Sequence, residues 1–216
     1  KAGQLMINGL SGRPGAGKTY ECVTQHIIPA LNDKRKIITN IPLNVEWFVN
    51  VLGAYVRELI VIVDGGYHNY GDKRPFAKVS DFLQYDTWRN EKNQGVYFFI
   101  DECHLAMPVG GTDKSLKEYL SMHRHYGHDL MLLTQNFRKV DRDVKDMIQT
   151  CYLCTKLSML AKDDKYVCKV ADGVSRNIVH THYREYEPKY FGAYQSHTKA
   201  QGSVKETQTT GVKKWY

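Results

Sequence analysis

The chain is constrained most strongly by one octapeptide, Gly12-Arg13-Pro14-Gly15-Ala16-Gly17-Lys18-Thr19, which satisfies the phosphate-loop pattern G-x-x-x-x-G-K-[ST] in full. Its glycines allow backbone N–H groups to approach a polyphosphate without an obstructing Cβ atom. Lys18 would meet the terminal phosphates as a point charge, and the Thr19 hydroxyl would take one position on Mg²⁺. We therefore predict that a nucleotide is bound by Gly12, Arg13, Pro14, Gly15, Ala16, Gly17, Lys18, Thr19 and the adjoining Tyr20.

The segments on either side have the periodicity that a phosphate loop requires. Residues 5 to 10 form a short apolar run, which predicts a strand before the loop. After the loop, apolar residues recur at helical spacing as far as Leu31, which predicts a helix. The N-terminus of that helix would add about half a positive charge beside the phosphates.

A second apolar run, residues 96 to 100, ends in Asp101 and Glu102. Such a run is typical of a strand that is buried on both faces in a parallel sheet. Asp101 is suited to hold Mg²⁺ through water, and Glu102 to orient or deprotonate the water that attacks the γ-phosphate. Residues 59 to 63 also predict a strand, and it ends in Asp64. We interpret that earlier strand as a decoy, because the later run ends in two carboxylates.

Two further residues are candidates for the catalytic machinery. A strand at residues 130 to 133 precedes Gln135, which would stand beside the acidic strand and sense the γ-phosphate or place the water. Arg124, near the end of a helix predicted from the spacing of Leu116, Tyr119 and Leu120, would supply positive charge to the transferring phosphoryl group. It would do so in its own subunit or in a neighbouring one. The alternative is an arginine that pairs with a helix end or a surface carboxylate.

The remaining pattern predicts a three-layer α/β P-loop NTPase with a mainly parallel sheet. Residues 37 to 39 are a strand candidate, and helices are indicated from residue 80 towards Trp88 and over 141 to 148. From about residue 151 to 186 the pattern becomes β-like, which we interpret as a β-rich, antiparallel addition on the sheet edge. We predict one domain over residues 1 to 194 and a flexible polar tail over 195 to 216.

Charge and hydropathy limit the partners without choosing among them. Thirty Lys and Arg against twenty-three Asp and Glu give a net charge of +7, which suits nucleic acid, an anionic membrane surface or neither. No run reaches the roughly 18 to 20 apolar residues that a membrane span needs. The tail ends in Lys213-Lys214-Trp215-Tyr216, a mixture typical of the cytoplasmic side of a membrane helix. We predict that it leads towards a span beyond this chain, with a random polar terminus as the alternative.

The cysteine and histidine spacings favour packing over redox or metal chemistry. Five cysteines form no disulfide framework, which indicates a reducing, cytosolic setting. Cys151 and Cys154 lie in a strand-like run, where a spacing of three directs the side chains to opposite faces. His180 and His182 have no third ligand at a telling spacing, and neither does the His123-x-His125 pair, so metal binding is disfavoured.

The order of the motifs resembles the zonula occludens toxin family, which also contains the filamentous-phage assembly ATPase. The resemblance covers roughly residues 3 to 190. Beyond the phosphate loop it is carried by Ile38-Thr39-Asn40-Ile41-Pro42, by Phe99-Ile100-Asp101-Glu102-Cys103-His104, and by His123-Arg124-His125-Tyr126-Gly127-His128-Asp129 running into Leu133-Thr134-Gln135. It implies the cytoplasmic domain of an inner-membrane protein that uses ATP to assemble and export virions carrying single-stranded DNA. Toxin action, where claimed in the family, is attributed to the part beyond the membrane.

The predicted function is therefore ATP binding and hydrolysis with Mg²⁺ in a multi-subunit motor. The implied partners are further copies of the chain, phage coat or assembly proteins and single-stranded phage DNA. A small-molecule kinase is disfavoured, because a kinase's hydroxyl acceptor needs no activated water. A toxin or interaction module, in which nucleotide only stabilises or switches the fold, is the other alternative. ATP and GTP are not distinguished, since no base-reading motif is visible.

Overall fold

A computed structural model describes residues 5–63, 74–157, 164–175 and 177–195. The strands within these ranges are β1 (Ile7–Gly12), β2 (Ile37–Thr39), β3 (Ile60–Ile62), β4 (Tyr97–Ile100), β5 (Asp129–Thr134), β6 (Thr150–Lys156), β7 (Lys165–Asp172) and β8 (Ile178–Glu185). They form one sheet in the order β3-β2-β4-β5-β1-β6-β7-β8. The strand that precedes the phosphate loop and the strand that precedes the two carboxylates are therefore separated only by β5.

Helices cover both faces of this sheet. One core contains side chains of α1 (Lys18–Cys22), α2 (Ile28–Asn32) and α3 (Val45–Leu52). The other contains side chains of α4 (Ser80–Leu83), α5 (Lys114–Met122) and α6 (Arg142–Asp146). The strands from β3 to β6 pair in parallel and are covered on both sides, and accordingly β4 and residues 130 to 133 of β5 are apolar. The predicted three-layer α/β fold with a mainly parallel sheet is confirmed.

The helix after the phosphate loop is continuous but not uniform. A π-helical turn, Val23–Ile27, joins α1 to α2, and Pro29 lies just beyond it. Proline has no N–H to donate to the preceding turn, which explains why the regular α-helical ladder is interrupted at this point. The predicted helix near residue 80 ends at Leu83, short of Trp88, whereas α5 buries Leu116, Tyr119 and Leu120 as predicted.

The prediction for the C-terminal part was only partly correct. β6 pairs in parallel with β1, so it belongs to the central sheet and not to an antiparallel addition. The chain passes through α6 between β5 and β6, and such a crossover returns the next strand in the same direction. The antiparallel, β-rich extension consists of β7 and β8. Cys151 and Cys154 of β6 do face the two opposite cores, as predicted.

Residues 186–195, here called the C-terminal strap, return from β8 across the sheet to the connection between β2 and α3. The backbone N–H of Asn44 donates to Ala193 O at 2.8 Å, and that of Gln195 donates to Pro42 O at 3.0 Å. Trp47 Nε1 donates to Lys189 O at 3.2 Å. These bonds hold the strap beside the carboxyl ends of the strands, where the phosphate loop lies.

Several predictions concern residues that the structure does not describe. Asp64, at the end of the decoy strand, lies outside the described residues, and so does the polar tail beyond residue 195. The domain boundary at residue 194 therefore stays a prediction. Within the described ranges, no helix has the length and apolar character needed to cross a membrane.

Candidate nucleotide site

The phosphate loop joins β1 to α1, and its backbone has the conformation that only glycine adopts easily. Gly15 has φ of 74° and Gly17 has φ of 85°, both in the left-handed region. A Cβ atom on Gly17 would lie 2.4 Å from the Tyr186 hydroxyl oxygen, so a side chain here would also have to displace Tyr186. Gly12 also passes close to the neighbouring strand, where a Cβ atom would lie 2.9 Å from the backbone oxygen of Cys154.

A cavity of about 430 Å³ opens beside this loop. It is lined by residues 13–15 and 17–20, by Asp101, Glu102 and Gln135, and by aromatic residues of the C-terminal strap. Gly12 and Ala16 do not line it: Gly12 ends β1, and Ala16 is buried beneath the loop. Most of the residues predicted to bind nucleotide and metal therefore meet around one space at the carboxyl edge of the sheet.

Lys18 and Asp101 form an ion pair in the wall of this cavity. The Lys18 Nζ atom lies 3.3 Å from Asp101 Oδ1, and only 11% and 6% of the two side chains are exposed. Asp101 Oδ1 also accepts a hydrogen bond of 2.9 Å from the backbone N–H of Glu102. Among the described hydrogen bonds, Asp101 Oδ2 has no partner and is available to accept from a water molecule on Mg²⁺. Thr19 lines the same cavity, so the donor set fits an oxygen-ligated, partly hydrated Mg²⁺.

Asn40 holds the acidic segment in place. Its Nδ2 atom donates to Asp101 O at 2.9 Å, and its Oδ1 atom accepts from Asp101 N at 2.7 Å. The amide thus continues the pairing of β2 with β4 one residue beyond the end of the ladder. Sequence reasoning assigned no role to Asn40, although a polar residue at the tip of an apolar strand was the signal that could have identified it.

Glu102 adopts a strained backbone conformation, with φ of 50° and ψ of 42°. For a residue other than glycine this costs on the order of 1 to 3 kcal/mol and is found mainly at functional sites. Its carboxylate lies between two polar side chains: Gln135 Nε2 donates to Oε1 at 3.4 Å, and His104 Nδ1 lies 3.3 Å from Oε2. The strain therefore accompanies a carboxylate that is held beside Gln135 and His104; a water shared by Glu102 and Gln135 stays a prediction.

His104 is a site residue that sequence reasoning left without a role. Its Nδ1 atom also lies 3.2 Å from Thr134 Oγ1, at the end of β5. Burial lowers the pKa of His104, and the nearby Glu102 opposes this effect. A neutral imidazole with its proton on Nδ1 would donate to the Glu102 carboxylate. His104, Glu102 and Gln135 also line a second cavity of about 590 Å³ that adjoins the first.

Gln135 and Arg124 lie at opposite ends of the same strand. Gln135 follows the carboxyl end of β5, between the phosphate loop and the acidic strand. Arg124 lies in the 3₁₀ segment before the amino end of β5, which puts it roughly 20 Å away along six residues of strand. It is exposed and does not line the cavity. Action of Arg124 within its own subunit does not fit this geometry, whereas action in a neighbouring subunit stays a prediction.

The other residues considered from the sequence are Tyr20, Cys151, His180 and His182, and their surroundings indicate structural roles. Tyr20 is buried, and its hydroxyl accepts a hydrogen bond of 2.8 Å from Glu187 N, so it touches the cavity as part of its wall. Burial raises the pKa of the Cys151 thiol to about 12, which makes that thiol unreactive. His180 and His182 lie side by side on β8, with ring centres 6.2 Å apart. Within the part of the chain that the structure describes, no group of three potential metal ligands is present.

Comparison with known proteins identifies relatives along most of the chain. The model of the family Zonular occludens toxin (Zot) matches residues 6–201. The Zona occludens toxin of Vibrio cholerae serotype O1 is 24% identical over 190 residues, which cover 79% of this chain and 45% of that protein. The chain thus spans less than half the length of this curated relative.

Two solved structures share the fold. The N-terminal domain of zonular occludens toxin from Neisseria meningitidis matches with a TM-score of 0.56 and 19% identity, covering 89% of this chain and 100% of that one. The genome packaging NTPase B204 from Sulfolobus turreted icosahedral virus 2, solved with ATP-gammaS, matches with a TM-score of 0.54 and 18% identity, covering 82% and 96%. At these identities the matches establish a P-loop NTPase fold.

Proposed function

The chain belongs to the Zonular occludens toxin (Zot) family, and from this premise we propose that it binds ATP with Mg²⁺ and hydrolyses the γ-phosphate. The observation that carries the proposal is the convergence of four side chains at one edge of the sheet. Asp101, Glu102 and Gln135 follow the ends of β4 and β5, Lys18 begins the helix after the neighbouring β1, and all four line one cavity. This is the set of groups that phosphate binding, metal binding and water activation require.

Each residue has a separate task in the proposed reaction. Lys18 and the backbone N–H groups of residues 12 to 19 bind the phosphates. Glu102 accepts a proton from the attacking water, and Gln135 helps to place that water. Mg²⁺, held by Thr19 and through water by Asp101, would neutralise charge on the phosphate oxygens.

Hydrolysis is a better proposal than kinase activity because of the surroundings of Glu102. Its carboxylate contacts Gln135 and His104, which suits the fixation of a water molecule. Inorganic phosphate released into water supports hydrolysis, whereas phosphate transferred to an added acceptor would identify a kinase.

We further propose that the domain works as an oligomeric motor in filamentous-phage assembly and export at the bacterial inner membrane. This role is what the resemblance of the motifs to a family that contains the filamentous-phage assembly ATPase implies, and the similarity to a genome packaging NTPase supports a motor. Phage coat or assembly proteins and single-stranded DNA are the proposed partners. Arg124, which is exposed and distant from its own cavity, would act in the site of a neighbouring subunit.

The experiment that tests the proposal is Mg-ATP hydrolysis at increasing protein concentration. We expect turnover per subunit to rise with concentration and to be lost in both Glu102→Gln and Arg124→Ala. Equilibrium ATP binding should persist in Glu102→Gln, because the phosphate loop is unchanged. Turnover that does not depend on concentration or on Arg124 would overturn the shared site. Absence of turnover at every concentration, with DNA and lipid present, would instead identify a binding module.

A further inference from the structure

The lining of the cavity beside the phosphate loop combines two chemically different surfaces. Lys18, Asp101, Glu102 and Gln135 contribute charged and amide groups, and Tyr186, Phe191 and Tyr194 of the C-terminal strap contribute aromatic surface. A nucleotide has the same division, with a polyanion at one end and a flat aromatic base at the other. Complementarity of this kind fixes the direction in which a nucleotide would lie.

The aromatic surface is held rigidly against the phosphate loop. Tyr186 stacks on Tyr166 with ring centres 4.8 Å apart and an angle of 29° between the rings. The Tyr186 hydroxyl lies against Gly17, and a Cβ atom at that position would have to displace it. On the other side, Tyr194 forms a β-bridge with Leu43. The strap is therefore anchored at both ends, and contacts within the protein position its aromatic side chains before a ligand binds.

Phe191 has the exposure expected of a stacking surface. Its ring centre lies 6.1 Å from that of Tyr20 and 6.4 Å from that of Tyr186, yet the residue is 52% exposed. It also lines the cavity. A phenylalanine that packs on one side and is open to a cavity on the other offers an apolar face to a planar ligand.

We infer that the base of the nucleotide stacks on Phe191, between the Tyr186 and Tyr194 ends of the strap; this inference rests on the proposed nucleotide binding. Base stacking does not depend on which base is present, because every base has a π face. The described lining residues with carboxylate or amide side chains, Asp101, Glu102 and Gln135, follow β4 and β5, so the aromatic residues of the strap add no carboxylate or amide that would select one base. The site consequently binds ATP and GTP with affinities that differ less than tenfold.

The experiment is equilibrium binding of three magnesium-bound probes: ATP, GTP and inorganic tripolyphosphate, which has no base. Phe191→Ala should weaken ATP and GTP binding roughly 5- to 150-fold, the range expected for one lost base–aromatic stack. Binding of tripolyphosphate should stay unchanged, which also shows that the variant is folded. Phe191→Tyr should restore nucleotide binding, because the ring is kept.

Tyr183→Ala provides the matched control, since Tyr183 is 79% exposed on β8 and does not line the cavity. This control should bind all three probes as the unchanged chain does. Equal weakening of nucleotide and tripolyphosphate by Phe191→Ala, or no weakening of either, would overturn the stacking site alone. An unchanged chain that binds none of the probes would overturn nucleotide binding itself. A preference for ATP or GTP above tenfold would overturn the inference that stacking alone reads the base.

Discussion

Arg184 donates two hydrogen bonds, each of 3.2 Å, to the carboxylate of Glu21 and thereby ties β8 to the helix that follows the phosphate loop. Glu21 is only 1% exposed, and the Tyr166 hydroxyl also donates to it at 2.5 Å. A buried carboxylate is tolerated only when it is paired and hydrogen-bonded. The antiparallel extension is thus joined electrostatically to the element that carries Lys18 and Thr19.

Replacement of Arg184 by Ala should leave the Glu21 charge buried without its cation. We expect the free energy of unfolding to fall by about 2 to 4 kcal/mol. This is at the low end of the usual cost of breaking a buried ion pair, because Arg184 is partly exposed. Urea denaturation at pH 7.5 measures this change. The double variant Arg184→Met, Glu21→Gln should recover most of the loss, since no unpaired charge remains.

An exposed ion pair serves as the control for that comparison. Lys92 and Asp33 are 2.7 Å apart, with 61% and 52% of their side chains exposed. Lys92→Ala should change the free energy of unfolding by less than about 1 kcal/mol. If Arg184→Ala and Lys92→Ala had equally small effects, the buried pair would not be a structural link.

Asn40 should act as a positioning residue for the acidic segment. Asn40→Ala removes both hydrogen bonds to the Asp101 backbone, and a displacement of Glu102 by about 1 Å would lower kcat on the order of 100-fold. Nucleotide binding, measured separately at equilibrium, should change little because the phosphate loop is untouched. A loss of thermal stability with an unchanged kcat would show that Asn40 has only a structural role.

His104 should determine the acid side of the pH profile for hydrolysis. Burial lowers the pKa of His104 from the usual 6.5. His104 is therefore neutral at pH 7 and becomes charged only as the pH falls below 6.5. Its protonation places a cation beside the Glu102 carboxylate and makes it a weaker proton acceptor. We therefore expect kcat to be level near pH 7 and to fall as the pH decreases below 6.5.

The variant His104→Asn should separate this effect from a general loss of folding. It keeps a polar side chain near Glu102 but has no proton to gain, so the fall in kcat should move to lower pH. Steady-state kinetics between pH 5 and 8 would measure the change, with far-UV circular dichroism recorded at each pH. If kcat fell over the same pH range in both proteins, His104 would be excluded as the cause of the fall.

Two histidines, the buried His128 and the half-buried His26, should limit stability in acid. Burial lowers the pKa of His26 and that of His128 from 6.5 to about 4. A depressed histidine pKa favours the folded state above pH 6.5, and this contribution is lost as the pH falls from 6.5 to about 4. At 1.36 kcal/mol per pKa unit, each histidine accounts for about 3 kcal/mol over that interval.

The difference in urea midpoint between pH 7.5 and pH 4.5 measures this loss. His26 packs edge-on against Tyr152, and its buried Nε2 atom has no hydrogen-bond partner in the described structure. His26→Phe should therefore keep stability at pH 7.5 and reduce the loss at pH 4.5. His180→Ala, on the exposed strand β8, should leave the pH dependence unchanged. An equal loss in His26→Phe and in the unchanged chain would contradict the assignment.

Much of the fold could be predicted because its signals are local. The phosphate loop was readable from residues 12 to 19, since the backbone conformation of Gly15 and Gly17 depends on their own lack of a side chain. The apolar run of β4 indicated a strand buried on both faces, and Asp101 and Glu102 follow it directly. Their convergence with Lys18 followed from the rule that parallel strands end at the same edge of the sheet.

The parallel course of β6 was not predictable in the same way. β-propensity does not specify the direction of a strand, and the deciding feature was the α6 crossover between β5 and β6. The length of α4 was also overestimated, because the helical pattern continued after the chain had turned. In both cases the presence of the element was predicted correctly, and the error concerned the direction of β6 and the residue at which α4 ends.

By itself, the sequence determined the class of fold, the phosphate loop and the acidic residues that accompany it, because these depend on neighbouring residues and on one periodic pattern. Tertiary structure alone decided the contact of Asn40 with Asp101, 61 positions away, and of Arg184 with Glu21, 163 positions away. It also decided that Phe191 would stand beside the phosphate loop. Such contacts depend on the order of strands and the return of the strap, and no local propensity encodes the distance between residues so far apart along the chain.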